Sequence, residues 1–348
     1  MTSGSTEQPI SIAIIGSGLI GPRHAQSIDP SKSTGYSAFP DRSCSTCNPD
    51  CDFPIDHLPF LAPLPSLILP ATNDSPNLPP KPYPRSYSHL LYRSWHKIFG
   101  HHRRFNPYLI SAKTELDSGV LGQIIGVQGI RALKKSSLYF DGIGEWRRNG
   151  ESGGVVLINL IHEFELLQYL LGKITTVSAI ESKKTRGFDA EEGGAIKLRF
   201  ESGVVGTFLL SDAVPSPWNF EAGTGENPTV PKLGKENGAG GLYRILGTRG
   251  GISVPDLTRW SYEVGEGEKA WNDELMKDEI QVNTEIVPFD EQIKHLVQVV
   301  KEGNNPICSG EEGLSAMVVC EAVRVAMKSG EMVEIEGLDI VKRSSKHN

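Results

Sequence analysis

Proline sets the first limit on what this chain can fold into. Of its 23 prolines, thirteen lie between Pro30 and Pro84, and no proline-free run there exceeds nine residues. Each proline removes a donor from a sheet ladder and breaks a helix interior. Alternating strands and ten-residue helices are therefore not expected across residues 30–84, which read as irregular or disordered. Only Phe60–Leu69 (FLAPLPSLIL) is apolar enough for burial, and two prolines interrupt it. Cys44, Cys47 and Cys51 in this stretch make a C-x2-C-x3-C pattern. A tetrahedral zinc site wants four ligands, and only something like His57 could be the fourth. Three unpaired thiols in a loop is the simpler reading, so no metal is expected.

Ahead of the proline region, Ile10–Ile15 reads as an apolar strand, followed at once by GSGLIG and a short helix PRHAQSI. Gly16, Gly18 and Gly21 satisfy G-x-G-x-x-G. The first glycine allows the tight turn, the second lets a pyrophosphate approach the backbone, and the third lets helix pack on strand. The helix N-terminus then faces the phosphate. This reading makes Gly16, Ser17, Gly18, Leu19, Ile20 and Gly21 candidate dinucleotide-binding residues. A ribose-holding acid belongs about 20 residues beyond the glycines. Asp29, the candidate here, follows Gly21 by only eight residues and precedes a proline. The cofactor domain looks incomplete.

Periodic structure returns near Arg85. Tyr87–Phe99 reads as a helix or as ending in a strand. Pro107–Ser118 fits an amphipathic helix stopped by Gly119, and Gln123–Ala132 alternates as a strand. From Trp146 the chain reads WRRNGESGGVVLINLIHEFELLQYLLG. A Gly153-Gly154 turn opens a proline-free helix that Gly172 caps. Its apolar residues wrap most of the circumference, so burial is expected. Asn159 and His162, three apart, share a face, with Glu163 close by. Taken alone, His162 is most simply a hydrogen-bonded core histidine; His is also the side chain that titrates nearest neutrality.

Strand candidates then follow at hairpin spacing: Thr175–Glu181, Gly194–Phe200, Val204–Ser211, Tyr243–Gly247 and Ile252–Val254. They suggest an open, largely antiparallel sheet. The glycine-rich loop Gly223–Gly241 breaks the pattern and is placed to border a pocket. Helices Asp290–Glu302 and Glu312–Ser329 and a basic tail close the chain. The expected fold class is α/β plus α+β. A Rossmann-like domain spans 1–120, an α/β sheet domain packed by helices spans 121–335, and 336–348 is a tail.

The formal net charge of −7 argues against general nucleic-acid or anionic-membrane binding. No apolar run approaches the ~20 residues that cross a bilayer. Five cysteines, an odd number in a chain of this length, read as reduced and cytoplasmic.

Several blocks occur in order: GSGLIGPRHAQSI, GHHRRFNP, WRRNGESGGVVLINLIHEFELLQYLLG, SPWNFE, GENP, PFDEQIKHL and NPICSGEEGL. Over residues 10–28 and about 100–335 the chain resembles the glucose–fructose oxidoreductase / inositol dehydrogenase / MocA family of NAD(P)-dependent oxidoreductases. The resemblance implies NAD or NADP as cofactor, and hydride transfer at a carbinol or ketone carbon of a small sugar, polyol or cyclic substrate. It makes His162 the acid/base or the residue that orients the substrate hydroxyl. Many members carry an aspartate four residues earlier, where Ile158 stands here; an INLIH sub-pattern puts Asn159 on that face instead. Asn orients a hydroxyl but cannot take its proton. The family's catalytic lysine sits in a Glu-Lys-Pro motif that is absent here, and Pro80-Lys81-Pro82 is the nearest match. Lys81 is thus the candidate for that role.

Arg103, Tyr139, Trp146 and Arg147 are candidate substrate residues, since arginine clamps carboxylates. Salt bridging at a domain junction is an equal reading for Arg103 and Arg104, and Trp218 reads as core more than as ligand. The resemblance further implies a homo-dimer or homo-tetramer through the sheet. Two other readings remain open. One is a family member without redox chemistry, either a ligand-binding or regulatory protein or a non-redox enzyme using His162. The other is a defective product in which residues 30–99 derive from mis-spliced or out-of-frame coding.

Overall fold

A computed structural model describes residues 11–15, 36–38, 67–71, 98–99, 101–233, 241–263 and 269–335. The chain divides into two compact units. The first holds Met1–Phe105, Val287–Leu314 and Asp339–Asn348; the second holds Asn106–Ile286 and Ser315–Leu338.

In the first unit, strands β1 (Ser11–Ile15), β2 (Tyr36–Ala38), β3 (Leu67–Ala71) and β4 (Ile98–Phe99) form a sheet in the order β2-β1-β3-β4. β1 pairs in parallel with β2, as a first nucleotide-binding half requires. β3 instead runs antiparallel to β1. Two of these strands fall inside the stretch read as irregular, because short strands tolerate proline at the right place. Pro70 pairs opposite Ile12, and β4 reaches only Leu67 and Ile68, so the missing N–H opposes no β4 residue.

The second unit is built on alternation. Helix α1 (Pro107–Asp117) precedes β5 (Ile124–Ala132); the Asn106 side chain caps it by accepting the Tyr108 N–H, and proline occupies its first turn. A π-turn, Val156–Leu160, runs into helix α2 (Ile161–Leu171), which ends at the Gly172 cap. Strands β6 (Ile174–Glu181), β7 (Gly193–Phe200) and β8 (Val205–Ser211) follow, then short helix α3 (Phe220–Thr224). After β9 (Tyr243–Gly247) and β10 (Gly250–Val254) come β11 (Thr258–Tyr262) and β12 (Leu275–Glu279). Helix α4 (Pro288–Glu302) lies in the first unit; α5 (Gly310–Ser329) and β13 (Val333–Glu334) end the described chain.

The described strands of this unit make a nine-stranded sheet ordered β12-β11-β10-β9-β5-β8-β7-β6-β13. Its pairings are antiparallel except β5 with β8, which is parallel. One face packs on α1, α2 and α5 through a single core that includes Leu109, Phe164, Leu167, Ile196, Phe208, Tyr243, Val319 and Val323. The other face is open. Ile180, Ala195 and Leu209 make one cross-strand row on it, and Val205, Gly126 and Leu246 another. Such open apolar rows are more usual where another surface covers them.

Two glycines set where the α2 segment begins. Gly153 passes so close to the Arg147 backbone that no Cβ fits. Gly154 adopts φ +90°, and a Cβ there would collide with the Glu191 carboxylate. That carboxylate accepts the Val156 N–H at 3.0 Å and serves as the cap for the π-turn. Burial pushes its carboxyl up, opposed by backbone hydrogen bonds that include the Val156 N–H. Gly154→Ala is therefore expected to destabilise the protein by at least ~1–2 kcal/mol in urea unfolding, from backbone strain and loss of this cap together. An unchanged midpoint would refute the need for glycine here.

Candidate active site

Asn159 and His162 are both half-buried, so the α2 segment, expected to be buried because apolar residues wrap most of it, has one partly open side. A π-turn is a common device at functional sites, because it re-aims the residues around it without ending the helix. Here it spans the residues just before His162 and contains Asn159. The expectation that Glu163 accompanies them does not hold. Glu163 is fully buried on the sheet side, where it accepts a hydrogen bond from Tyr243 Oη of β9.

Glu163 also faces Arg131, which sequence reasoning did not single out. Arg131 takes an inward position of β5, after Val127 and Gly129, and its side chain is fully buried. Its Nε lies 3.3 Å from Glu163 Oε1, close enough for ion pairing, and Nη2 donates to Glu221 Oε1 at 2.8 Å. Glu221 is delivered by α3, which Asn219 caps through Ala222 N–H at 2.8 Å. The SPWNFE block is latched to the end of β5: Ser216 Oγ donates to the Ala132 carbonyl at 2.8 Å, and Ala132 N–H to the Trp218 carbonyl at 2.8 Å. Trp218 itself is 41% exposed, against the core reading, because the latch uses its backbone and leaves its ring outside.

Beyond β5 the chain turns through Tyr139, Trp146 and Arg147, three of the predicted substrate residues, and the fold does bring these together. The Arg147 guanidinium lies 4.1 Å from the Tyr139 ring centre and 5.1 Å from that of Trp146. Its Nη1 donates to the Tyr139 carbonyl at 2.5 Å. Lys135 Nζ, absent from the sequence candidates, sits 4.9 Å from the same Tyr139 ring. Burial pushes the Lys135 ammonium down, as does the charge of Arg131. Burial pushes the Tyr139 phenol up, and the Arg147 charge opposes it. The Arg147 carbonyl also accepts the Gly154 N–H at 3.3 Å, which ties this cluster to the start of the His162 helix segment.

Arg103 belongs to the first unit, in a 3-10 turn His102–Phe105 whose residues are all buried. Its neighbour Arg104 pairs with Glu312 at 2.7 Å within that unit. Glu312 also accepts the Ser309 N–H at 2.8 Å, while Ser309 Oγ accepts the Glu312 N–H, a capping box for α5. The His102 ring stacks on Phe289 at 4.0 Å. Burial, then the Arg104 charge, pushes the His101 imidazole down to about 3, so it stays neutral. Lys81, Gly16, Ser17, Gly18, Leu19, Ile20, Gly21 and Asp29 lie outside the described residues, as do Cys44, Cys47, Cys51 and His57. Among the described residues, no helix is long and apolar enough to cross a membrane.

The Arg131 pair carries the tightest prediction of the site. Removing one partner of a buried pair leaves the other charge without water, a loss of ~3–5 kcal/mol, whereas neutral replacement of both costs far less. Arg131→Ala should lower the urea midpoint accordingly, and Arg131→Met with Glu163→Gln and Glu221→Gln should recover more than half of the loss. A single-variant cost under about 1 kcal/mol would contradict the pair's role in holding α2.

The model of the oxidoreductase family's C-terminal alpha/beta domain matches residues 113–335, more than half of the chain. Inositol 2-dehydrogenase of Rhizobium meliloti (strain 1021) is 20% identical over 229 residues, 65% of this chain and 61% of that protein. The chain thus spans less than two thirds of the length of that relative. An oxidoreductase from Agrobacterium radiobacter, solved with NAD+, L-tartaric acid and magnesium, superposes with a TM-score of 0.51 at 16% identity. That match covers 69% of this chain and 65% of the other. The WlbA dehydrogenase from Bordetella pertussis, solved with NADH and UDP-GlcNAcA, gives 0.50 at 18%, over 68% and 64%. These structures speak for the fold alone. The chain belongs to the oxidoreductase family that carries this C-terminal alpha/beta domain, the glucose–fructose oxidoreductase / inositol dehydrogenase / MocA family.

Proposed function

We propose that this protein is an NAD(P)-dependent oxidoreductase acting on a small sugar, polyol or cyclic substrate. The observation that carries the reading is His162: half-buried, on a helix fixed by the Gly153-Gly154 turn, near Asn159, which is half-buried too. Histidine is the side chain whose ordinary titration lies nearest neutral pH, and an alcohol–ketone interconversion needs a group that takes up and returns a proton. In this reading His162 moves the hydroxyl proton and Asn159 orients the hydroxyl. Tyr139, Trp146 and Arg147 grip the rest of the substrate; Arg103 is a separate candidate carried by the first unit. Lys81 supplies the cationic partner.

The first unit serves as the cofactor domain. Support comes from β1, which pairs in parallel with β2 and ends at Ile15, directly ahead of GSGLIG. Gly16–Gly21 would hold the pyrophosphate and Asp29 the ribose of NAD or NADP, whose nicotinamide accepts or delivers the hydride. Ligands bound to the similar structures, NAD+ in one and NADH in the other, favour the same choice. The open apolar rows of the nine-stranded sheet suit a homo-dimer or homo-tetramer. A second reading, a family member without redox chemistry, draws on the antiparallel β3, which departs from a doubly wound sheet.

Titration of the full-length protein with NADH and NADPH separates the two. Saturable micromolar binding of one of them is expected, and binding of neither favours the non-redox reading. In a polyol and cyclic-substrate screen, His162→Ala should lower kcat/KM by about 10²–10⁴-fold while dinucleotide binding is retained. Undiminished turnover in that variant would remove His162 from the chemistry.

A further inference from the structure

The turn after β5 gathers more positive charge than its own carboxylates neutralise. Lys135 and Arg147 both lie against the Tyr139 ring, at 4.9 and 4.1 Å from its centre. One aromatic ring attracts a cation, but two cations on one ring also repel each other. The carboxylates that act on Lys135 are Glu221 and Asp212, and each already holds an arginine. Glu221 pairs with Arg131 at 2.8 Å, and Asp212 with Arg186 at 2.6 Å. Among the described residues, neither Lys135 Nζ nor Arg147 Nη2 has a hydrogen-bond or ion-pair partner, and neither is closed off from solvent. Arg147 spends one guanidinium donor on the Tyr139 carbonyl, which fixes the fork without neutralising it.

Cations that meet only an aromatic ring and solvent are well placed to take a charged acceptor from a ligand, and a charge-assisted hydrogen bond is the stronger kind. Because the cluster is tied to the start of the His162 helix by the Gly154–Arg147 hydrogen bond, a ligand held there lies on the unit that carries the proposed acid/base.

We propose that Lys135, Tyr139 and Arg147 form a carboxylate-binding subsite, so that the substrate is a hydroxy acid such as a sugar acid. The proposal rests on the reading of Tyr139 and Arg147 as substrate residues and adds Lys135 as a specificity-determining one. The carboxylate accepts from Arg147 Nη2 and Lys135 Nζ, while Tyr139 contributes its ring as the floor for both cations. A guanidinium and an ammonium together select a planar carboxylate over a hydroxyl of similar size.

Calorimetric titration of the full-length protein with D-glucuronate, D-glucose and D-glucose 6-phosphate, with and without NADH, tests this. Glucuronate should bind at least about tenfold more tightly than glucose and more tightly than the phosphate ester, as one charge-assisted contact would give. Lys135→Met and Arg147→Met should each bring the glucuronate-to-glucose ratio within about threefold, and Lys135→Arg should keep it. Equal binding of acid and neutral sugar, no binding of any of the three, preference for the phosphate ester, or a preference that survives both methionine variants would overturn the subsite. Failure of the dinucleotide titration is a separate result: it removes the oxidoreductase reading and leaves the glucuronate comparison intact.

Discussion

A buried charge must find its opposite, and in the second unit that demand organises the site. Arg131 sits with no exposed surface on the core face of β5 and is answered by Glu163 from α2 and Glu221 from α3. Tyr243 of β9 adds a hydrogen bond to Glu163. Four elements distant in sequence are thereby held in one register, including the helix that presents Asn159 and His162 on its open side. Apolar packing of α2 would hold the helix against the sheet with little preference for its rotation. The ion pair gives the rotation a preferred value, since turning the helix would strand a carboxylate.

Much of this unit was legible in the sequence because it is built by alternation. β5, β6, β7, β8, β9 and β10 fall where the pattern of apolar and polar residues put them, within a residue or two. β11 and β12 escaped, for the reason that LMKDE is a largely exposed edge strand with no buried face to advertise it. Arg131 escaped differently: inside GIRA it breaks the inward apolar series, and a charge at an inward position was the clue that could have found it. Lys135 had no such mark, since only the folded turn sets it over Tyr139. Trp218 misled in the opposite sense, because residue type predicts burial poorly where the backbone carries the contact. In the proline-rich stretch two short strands do form, where composition argued for none.

The site therefore divides into parts that rest on different grounds. Family membership and the α/β sheet domain follow from the match over residues 113–335. The roles proposed for His162 and Asn159 rest on their position behind the glycine turn and on their partial exposure. The character of the substrate rests on where charge is left over: arginines elsewhere in the turn region meet carboxylates, while Lys135 and Arg147 meet an aromatic ring. An unusual first unit does not alter that local chemistry, but it decides whether the chemistry is redox.

Isotope transfer addresses that point most directly. The full-length protein would be incubated with NADH and NADPH deuterated at the nicotinamide C4 position, in the presence of keto forms of sugars, polyols and sugar acids. The products would be read by mass spectrometry. The account predicts deuterium on the carbinol carbon of at least one product, lost in His162→Ala. Bound dinucleotide with no deuterium in any product would contradict it, and would leave a family member that holds its ligands without exchanging hydride between them.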